Sequence, residues 1–538
     1  MKKFLKKGMA MACVFAMVTS GCGQQMDQGQ QENESLVATE NAENVADGSK
    51  IFADTTLIKL SDEKITVNGS EIATDEESAV YAANDIVFYL EGQDFTYGEG
   101  GKEDEHSQAE ADAHTVVHIT KPGTYALSGK LSAGQIAVDL GEDAKENPEA
   151  AVTLILNGVD ITCSVAPAVI FYEVYECGDT DTDIATNVVD TTAAGANVLI
   201  ADNSVNNVTG SYVARIYKPG SVELSEDGTE VVDSKKLHKY DAAFYSKMTM
   251  NMNGDEEGTG VLNIKAENEG LDSELHLTIN GGNINIASGN DGINTNEDNV
   301  SVTTVNGGTL KIKVTGATGE GDGIDSNGWL VINGGTVIAE GCSFSMDAGI
   351  DSDKGIHING GTVVATGNML DHISESAQNY AVFQYASSQK GGETYALKNE
   401  AGNTVVEYTP ENAFTYLIFS SRDMKAGAYT MWKGDTQLAG SASESMRGFA
   451  DFGGGMPGGF NGEKPEGMEF PEGGFNGEIP EGMKFPEGGF DGKRPEGMTP
   501  PEGIERPEGG RGGMGSTGSA ETTTEFVIED GGNYFFIM

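Results

Sequence analysis

One short phrase is written four times in this chain: Gly-Leu-Asp-Ser from Gly270, Gly-Ile-Asn-Thr from Gly292, and Gly-Ile-Asp-Ser from Gly323 and from Gly349. An Asn-Gly-Gly follows each, at Asn280, Asn306, Asn333 and Asn359, so successive copies are offset by 26, 27 and 26 residues. A self-similar unit of this length, repeated end to end, is one coil of a solenoid. Aliphatic residues alternate beside the copies, as in Leu275, Leu277 and Ile279 or Ile356 and Ile358, which is strand periodicity. β-formers follow the glycine pairs, as in Thr336-Val337-Ile338, and no copy carries an uninterrupted 3.6-residue period, which disfavours leucine-rich and helical repeats. The Gly and Asn pairs are expected to supply positive φ angles at the corners. The sequence therefore predicts an all-β protein built as a right-handed parallel β-helix.

The same grammar is present in weaker form upstream, at Gly123-Thr124-Tyr125, Val152 to Gly158, Asp241 to Lys247 and Val261 to Ile264, as expected of divergent end coils. Downstream, Asn379 to Tyr385 and Thr415 to Ser420 read as further strands, and Gly427 to Gly434 as a closing hairpin. Residues 451–519 change composition: Pro-Glu-Gly-Met recurs at Pro465, Pro480 and Pro495 with a 15-residue period. So many prolines and glycines cannot sustain a ladder, and this segment is expected to be disordered. Residues 520–538 regain β character and are expected to dock back onto the 51–450 solenoid.

The N-terminus runs Met1-Lys2-Lys3-Phe4-Leu5-Lys6-Lys7, then an apolar stretch from Met9 to Val18, then Ser20-Gly21-Cys22. This is the pattern of a bacterial lipoprotein signal over residues 1–21, with Cys22 as the lipidated residue. Residues 22–50 are polar and read as a tether, so the expected location is the extracellular face of a bacterial membrane. Cys163, Cys177 and Cys342 have no metal-ligand spacing and do not form a disulfide framework. Buried thiols are their expected fate, with a Cys163 to Cys177 bridge as the alternative. With 84 acidic against 33 basic residues the formal charge is -51, which argues against nucleic acid as a partner and favours cations.

Stacked coils place equivalent residues about 4.8 Å apart. Asp272, Asn294, Asp325 and Asp351 should therefore form one ladder of oxygens, with Asp291, Asp322 and Asp347 as a second line at the same corner. Like charges so close repel unless a cation bridges them. Calcium suits an oxygen-only set, whereas His276, His357 and His372 offer little for zinc or iron. The alternative is that Asp and Asn are there for turn formation alone. Trp329, after Asn327-Gly328, is the aromatic expected to meet a sugar ring, and Trp432 is expected to be structural.

Taken in order, Gly-Thr-Tyr-x-Leu-Ser-Gly at 123, Leu-Ile-Leu-Asn-Gly at 154, Asp-Ala-Ala-Phe-Tyr-Ser-Lys at 241, Asn-Asp-Gly-Ile at 290 and the Asn-Gly-Gly coils resemble the clostridial carbohydrate-binding domain family. The resemblance spans residues 51 to 450. It departs at the acidic stretch 141–149, the insertion from Cys177 to Asn187 and the extra residues around Val300 to Thr303. It implies a polysaccharide-lyase-like β-helix on a bacterial surface, binding calcium and plant glycans of the cellulose or pectin type. An enzyme on the same architecture is the rival reading. No arginine lies between Arg215 and Arg422, which leaves Lys311, Lys313 and Lys354 as candidate lyase bases. Asp322 with Asp325, or Asp347 with Asp351, are candidate hydrolase pairs. A third reading is a structural or adhesive protein that self-associates through calcium.

Overall fold

The computed structural model describes residues 54–374, 376–443 and 522–538; the expected signal peptide, Cys22, the tether and the repeat-rich segment 451–519 lie outside the described residues. Within them the protein is almost entirely β. The helical elements are the short α-helix Gln108–Asp112, closed by a Ser107/Glu110 capping box, and a 3-10 turn, Glu142–Glu146, inside the acidic stretch.

Strand registers follow the repeat. His276–Ile279, Val302–Val305, Trp329–Ile332 and Gly355–Ile358 pair in parallel, with Leu277 opposite Thr303, Thr303 opposite Leu330 and Leu330 opposite Ile356. Each Asn-Gly-Gly turn leads into a second parallel ladder: Asn283–Ser288, Thr309–Val314, Thr336–Glu340 and Thr362–Gly367. A third ladder runs through Val169–Glu173, Ala242–Ser246, Glu269–Ser273 and Ile293–Thr295, then continues as single bridges at Ile324 and Ile350. Period-two alternation turns one side chain in two inward. Leu277, Leu330 and Ile356 of the first ladder, Ile284 and Leu310 of the second, and Leu271, Ile293 and Ile324 of the third are each at most 1% exposed in one contiguous core.

The repeated phrase has a stereochemical reason at each position. A Cβ on Gly323 would lie 2.3 Å from the Gly349 carbonyl of the next coil, so only glycine lets the backbones approach. In two copies the hydroxyl of the fourth residue turns back onto the chain: Ser273 donates to the His276 carbonyl and Ser326 to that of Trp329, both at 3.0 Å. Positive φ in Asn-Gly-Gly falls on the second glycine, as at Gly335 (φ +75°), and not on the asparagine. The asparagine amide instead bonds to its counterpart one coil back. Asn280 donates to Asn253 at 3.0 Å, Asn306 to Asn280 at 2.9 Å, Asn333 to Asn306 at 3.0 Å and Asn359 to Asn333 at 3.1 Å.

The parallel stack gives way to antiparallel strands at both ends. Thr362–Gly367 pairs with Phe414–Ser421, and Thr115–Ile119 with Val80–Ala83, which covers edges that would otherwise invite pairing. Gly427 to Gly434 is not itself a hairpin: Gly427–Lys433 is one strand, which turns back onto Thr436–Gln437 and also pairs with Phe526–Ile528, while Gly532–Ile537 joins Tyr380–Gln389. The C-terminal β segment thus docks back. Tyr380, Phe383 and Tyr385 are at most 5% exposed and serve packing. Cys163, Cys177 and Cys342 are free, so no Cys163 to Cys177 bridge forms, and Cys177 is half-buried rather than buried. Burial pushes the thiols of Cys163 and Cys177 up to about 11, which suits neither to nucleophilic work.

Gly402 also has positive φ (+78°) but nothing within 4 Å of a Cβ, whereas a Cβ on Gly335 would lie 2.7 Å from the Gly308 carbonyl. Gly402→Ala should therefore cost about 1 kcal/mol through backbone strain alone, and Gly335→Ala about 3 kcal/mol or more, measured by denaturant unfolding. Equal losses would show that coil-to-coil approach does not limit this corner.

Candidate functional site

Acidic residues collect where the third ladder turns. Asp272 lies opposite Asn294, and the bridges Ile293 to Ile324 to Ile350 carry the same column on to Asp325 and Asp351. Backbone bonds fix it: Asp325 N–H donates to the Ile293 carbonyl at 2.8 Å and Asp351 N–H to that of Ile324 at 2.7 Å. Three residues earlier, Glu269, Asp291 and Asp322 form a second column, tied by Gly270 N–H to the Asp291 carbonyl at 2.9 Å and Gly292 N–H to that of Asp322 at 3.0 Å.

Asp347 departs from its expected place. Gly323 N–H donates to the Ala348 carbonyl at 3.0 Å, so Ala348 fills the column position and Asp347 stands one residue before it. Its carboxylate nevertheless reaches the corner, accepting from Gly321 N–H at 2.6 Å and from the Ser345 hydroxyl. Glu269 belongs to the column although sequence reasoning passed over it; its place directly before Gly270, as Asp291 stands before Gly292, was the available signal.

Backbone amides and one asparagine partly satisfy these oxygens. Asp291 accepts from Asp322 N–H at 2.6 Å, and Asp322 in turn accepts from Ala348 N–H. Asp272 accepts from Asn296 Nδ2 through both oxygens, at 2.9 and 3.1 Å. Asp371, adjoining Asp351, accepts from Ser352 N–H at 3.0 Å. Glu269 Oε2 and Asn294 Oδ1 are buried and have no hydrogen-bond partner among the described residues.

Burial and crowding both hold protons on this corner. Desolvation, then the Asp351 charge, push Asp322 up to about 9. Desolvation and Asp371 push Asp351 up to about 8, desolvation carries Asp291 to about 7 against its backbone bond, and desolvation with Asp353 takes Asp325 to about 6. Asp272 and Glu269 are raised well above the carboxylate range, first by burial and then by Asp241 and Asp272 respectively. Lys239, 2.7 Å from Asp241, brings a cation to the Asp272 end. Among the described residues no three His, Cys, Asp or Glu side chains already converge as a metal-ligand set.

Trp329 stands on the outer side of its strand, since Leu330 and Ile332 point inward; it is half-buried, with Lys354 Nζ 5.6 Å from its ring centroid. Trp432 lies in the other sheet beneath Lys398 Nζ at 4.5 Å. Lys313 pairs with Glu411 at 2.5 Å. His276 accepts from Val302 N–H at 3.1 Å, and burial lowers its pKa to about 4, which keeps the ring neutral. Phe344 and Met346 are 78% and 70% exposed beside Asp347; they fall in a loop without repeat character, where periodicity gives no signal.

Compared with known proteins, residues 113–400 match the family model of carbohydrate-binding domain-containing proteins, and the chain belongs to that family. Among solved structures, the polysaccharide lyase-like protein from C. thermocellum, as a gadolinium derivative, matches at 20% identity. That match covers 56% of this chain and 90% of the other, with a TM-score of 0.32. No curated protein matches.

The raised carboxyls set the sign of the pH dependence. The folded chain keeps protons that the unfolded chain releases near pH 4, so the stability they lend is complete below that value and is lost as pH rises through 6 to 9. In chelating buffer the Tm should be highest near pH 5 and fall steadily toward pH 9, and Asp322→Asn should flatten the upper part of the fall. A Tm rising across this range would contradict the burial of the corner.

Proposed function

We propose that the chain is a right-handed parallel β-helix that binds polysaccharide without turning it over, its acidic corner bridged by calcium. The β-helix reading is supported by three parallel ladders that step one copy at a time around a shared core. The calcium reading rests on one observation: carboxylates stacked in a desolvated corner, with Glu269 Oε2 and Asn294 Oδ1 unpartnered there. Calcium accepts six to eight oxygens, including amide and backbone carbonyls, in loose geometry. Asp272, Asn294, Asp325 and Asp351, with Asp291, Asp322 and Glu269 and with Asp347 from its offset place, are the residues that would hold it. Its charge would let the carboxyls ionise and would tie consecutive coils together.

Membership of a carbohydrate-binding family supports polysaccharide binding, and Trp329 supplies an outward aromatic face for a sugar ring. Cys22 is read as the lipid attachment that holds the domain at the cell surface. Catalysis is favoured by one feature, the separated proton affinities of Asp322 and Asp325, about 9 and about 6, as an acid and base would need. Calcium at the corner would remove that separation.

Chelation should lower the Tm of the full chain at pH 8 and added calcium should restore it; a Tm indifferent to both would contradict the calcium reading. In pull-downs on cellulose and polygalacturonate with calcium, wild type should be retained and Trp329→Ala retained less, with little change in Tm. Reducing ends or unsaturated uronate appearing in those tubes would make the protein an enzyme.

A further inference from the structure

The first ladder carries two outward rows side by side. One is Asn251, Thr278, Thr304, Val331 and His357, aligned by register, and the other is the bonded asparagine row from Asn253 to Asn359. The insertion between Val169–Glu173 and Ala196–Ile200 crosses the first row as a strap. Near one end the Thr191 hydroxyl donates to that of Thr278 at 2.8 Å, and the Thr191 carbonyl accepts from Asn251 Nδ2 at 2.7 Å. Near the other, Asn187 Nδ2 lies 2.9 Å from His357 Nε2. Between these anchors, strap residues 187–192 and the asparagine row enclose a groove of about 260 Å³ over Thr304 and Val331.

We propose that this groove binds one chain of a neutral, extended polysaccharide lying along the asparagine row beneath the strap, an inference that rests on the carbohydrate-binding reading above. Within the row Asn280, Asn306 and Asn333 each spend one N–H and one lone pair on their neighbours, leaving a second N–H and a second lone pair per coil. Such pairs recur every 4.8 Å or about that, which suits a polymer with regularly spaced hydroxyls better than a single sugar. Asn251 gives the groove a built acceptor: it is 4% exposed, its Nδ2 is held by Thr191, and its Oδ1 has no partner among the described residues. A buried acceptor is stabilised by a donor, and a sugar hydroxyl is one.

Charge selects the class of glycan. Amides, hydroxyls and Val188, Val189 and Val331 line the groove, with no lysine or arginine. The one charged group, Asp190, has its Oδ1 engaged, accepting from Thr192 N–H at 3.1 Å and from its hydroxyl at 2.6 Å. A polyuronate would bring carboxylates to a lining with no cation, on a chain of formal charge -51. A neutral glycan brings only hydroxyls and C–H faces, which this lining can meet.

The test is calorimetric titration of the full chain, with calcium, using cellohexaose, xylohexaose and mannohexaose against hexagalacturonate. At least one neutral hexaose should bind, and Asn306→Ala should weaken it about tenfold through the lost amide contacts. Thr304→Tyr, which fills the groove, should abolish neutral binding, and both variants should leave any hexagalacturonate binding as in wild type. Neutral binding unchanged in both folded variants, or binding of hexagalacturonate alone, would overturn the groove while leaving the carbohydrate-binding reading intact. Failure of the wild type to bind any of the four would overturn both.

Discussion

The stacked ladders among the described residues follow from parallel pairing between residues one repeat apart. Once Leu277 sits opposite Thr303, and Thr303 opposite Leu330, every other position in the coil is committed to lie over its own counterpart at the strand spacing of about 4.8 Å. Stacking like on like is harmless for aliphatic residues, which fill the core. For polar and charged residues it decides what else must be present.

Asparagine and aspartate show the two outcomes. An amide is both donor and acceptor, so stacked asparagines can bond to one another from coil to coil, and Asn253 through Asn359 do so. An ionised carboxylate only accepts. A column of Asp272, Asp325 and Asp351 beside Glu269, Asp291 and Asp322 therefore raises its own proton affinities and leaves oxygens without donors. Its options are to stay protonated, at a loss of stability as pH rises, or to recruit a cation. The sheet face with the mutually bonded amides and the corner with the crowded acids thus have different chemistry, although one repeat produced both.

The strand pattern and the offsets were legible in sequence because period two and a fixed repeat length survive substitution at single positions. The Asp272, Asn294, Asp325 and Asp351 column was legible for the same reason. Glu269 was missed and Asp347 was placed one residue out of column, because the loop from Gly341 to Ala348 changes length and breaks the count. The role of Asn in Asn-Gly-Gly was also hidden: turn propensity points to positive φ, whereas the structure gives φ to glycine and the amide to its neighbour. Nothing local in residues 187–192 tells that they cross the first ladder, since their contacts to Thr278 and His357 lie 87 and 170 residues away.

The calcium proposed for the acid column is open to direct measurement. Native mass spectrometry of the full chain purified in calcium counts bound ions directly, with Asp325→Asn as the comparison. At least one calcium retained by wild type, and fewer by Asp325→Asn, is the predicted result. A wild-type chain that carries no calcium would contradict it, and would leave the column as a row of protonated turn residues.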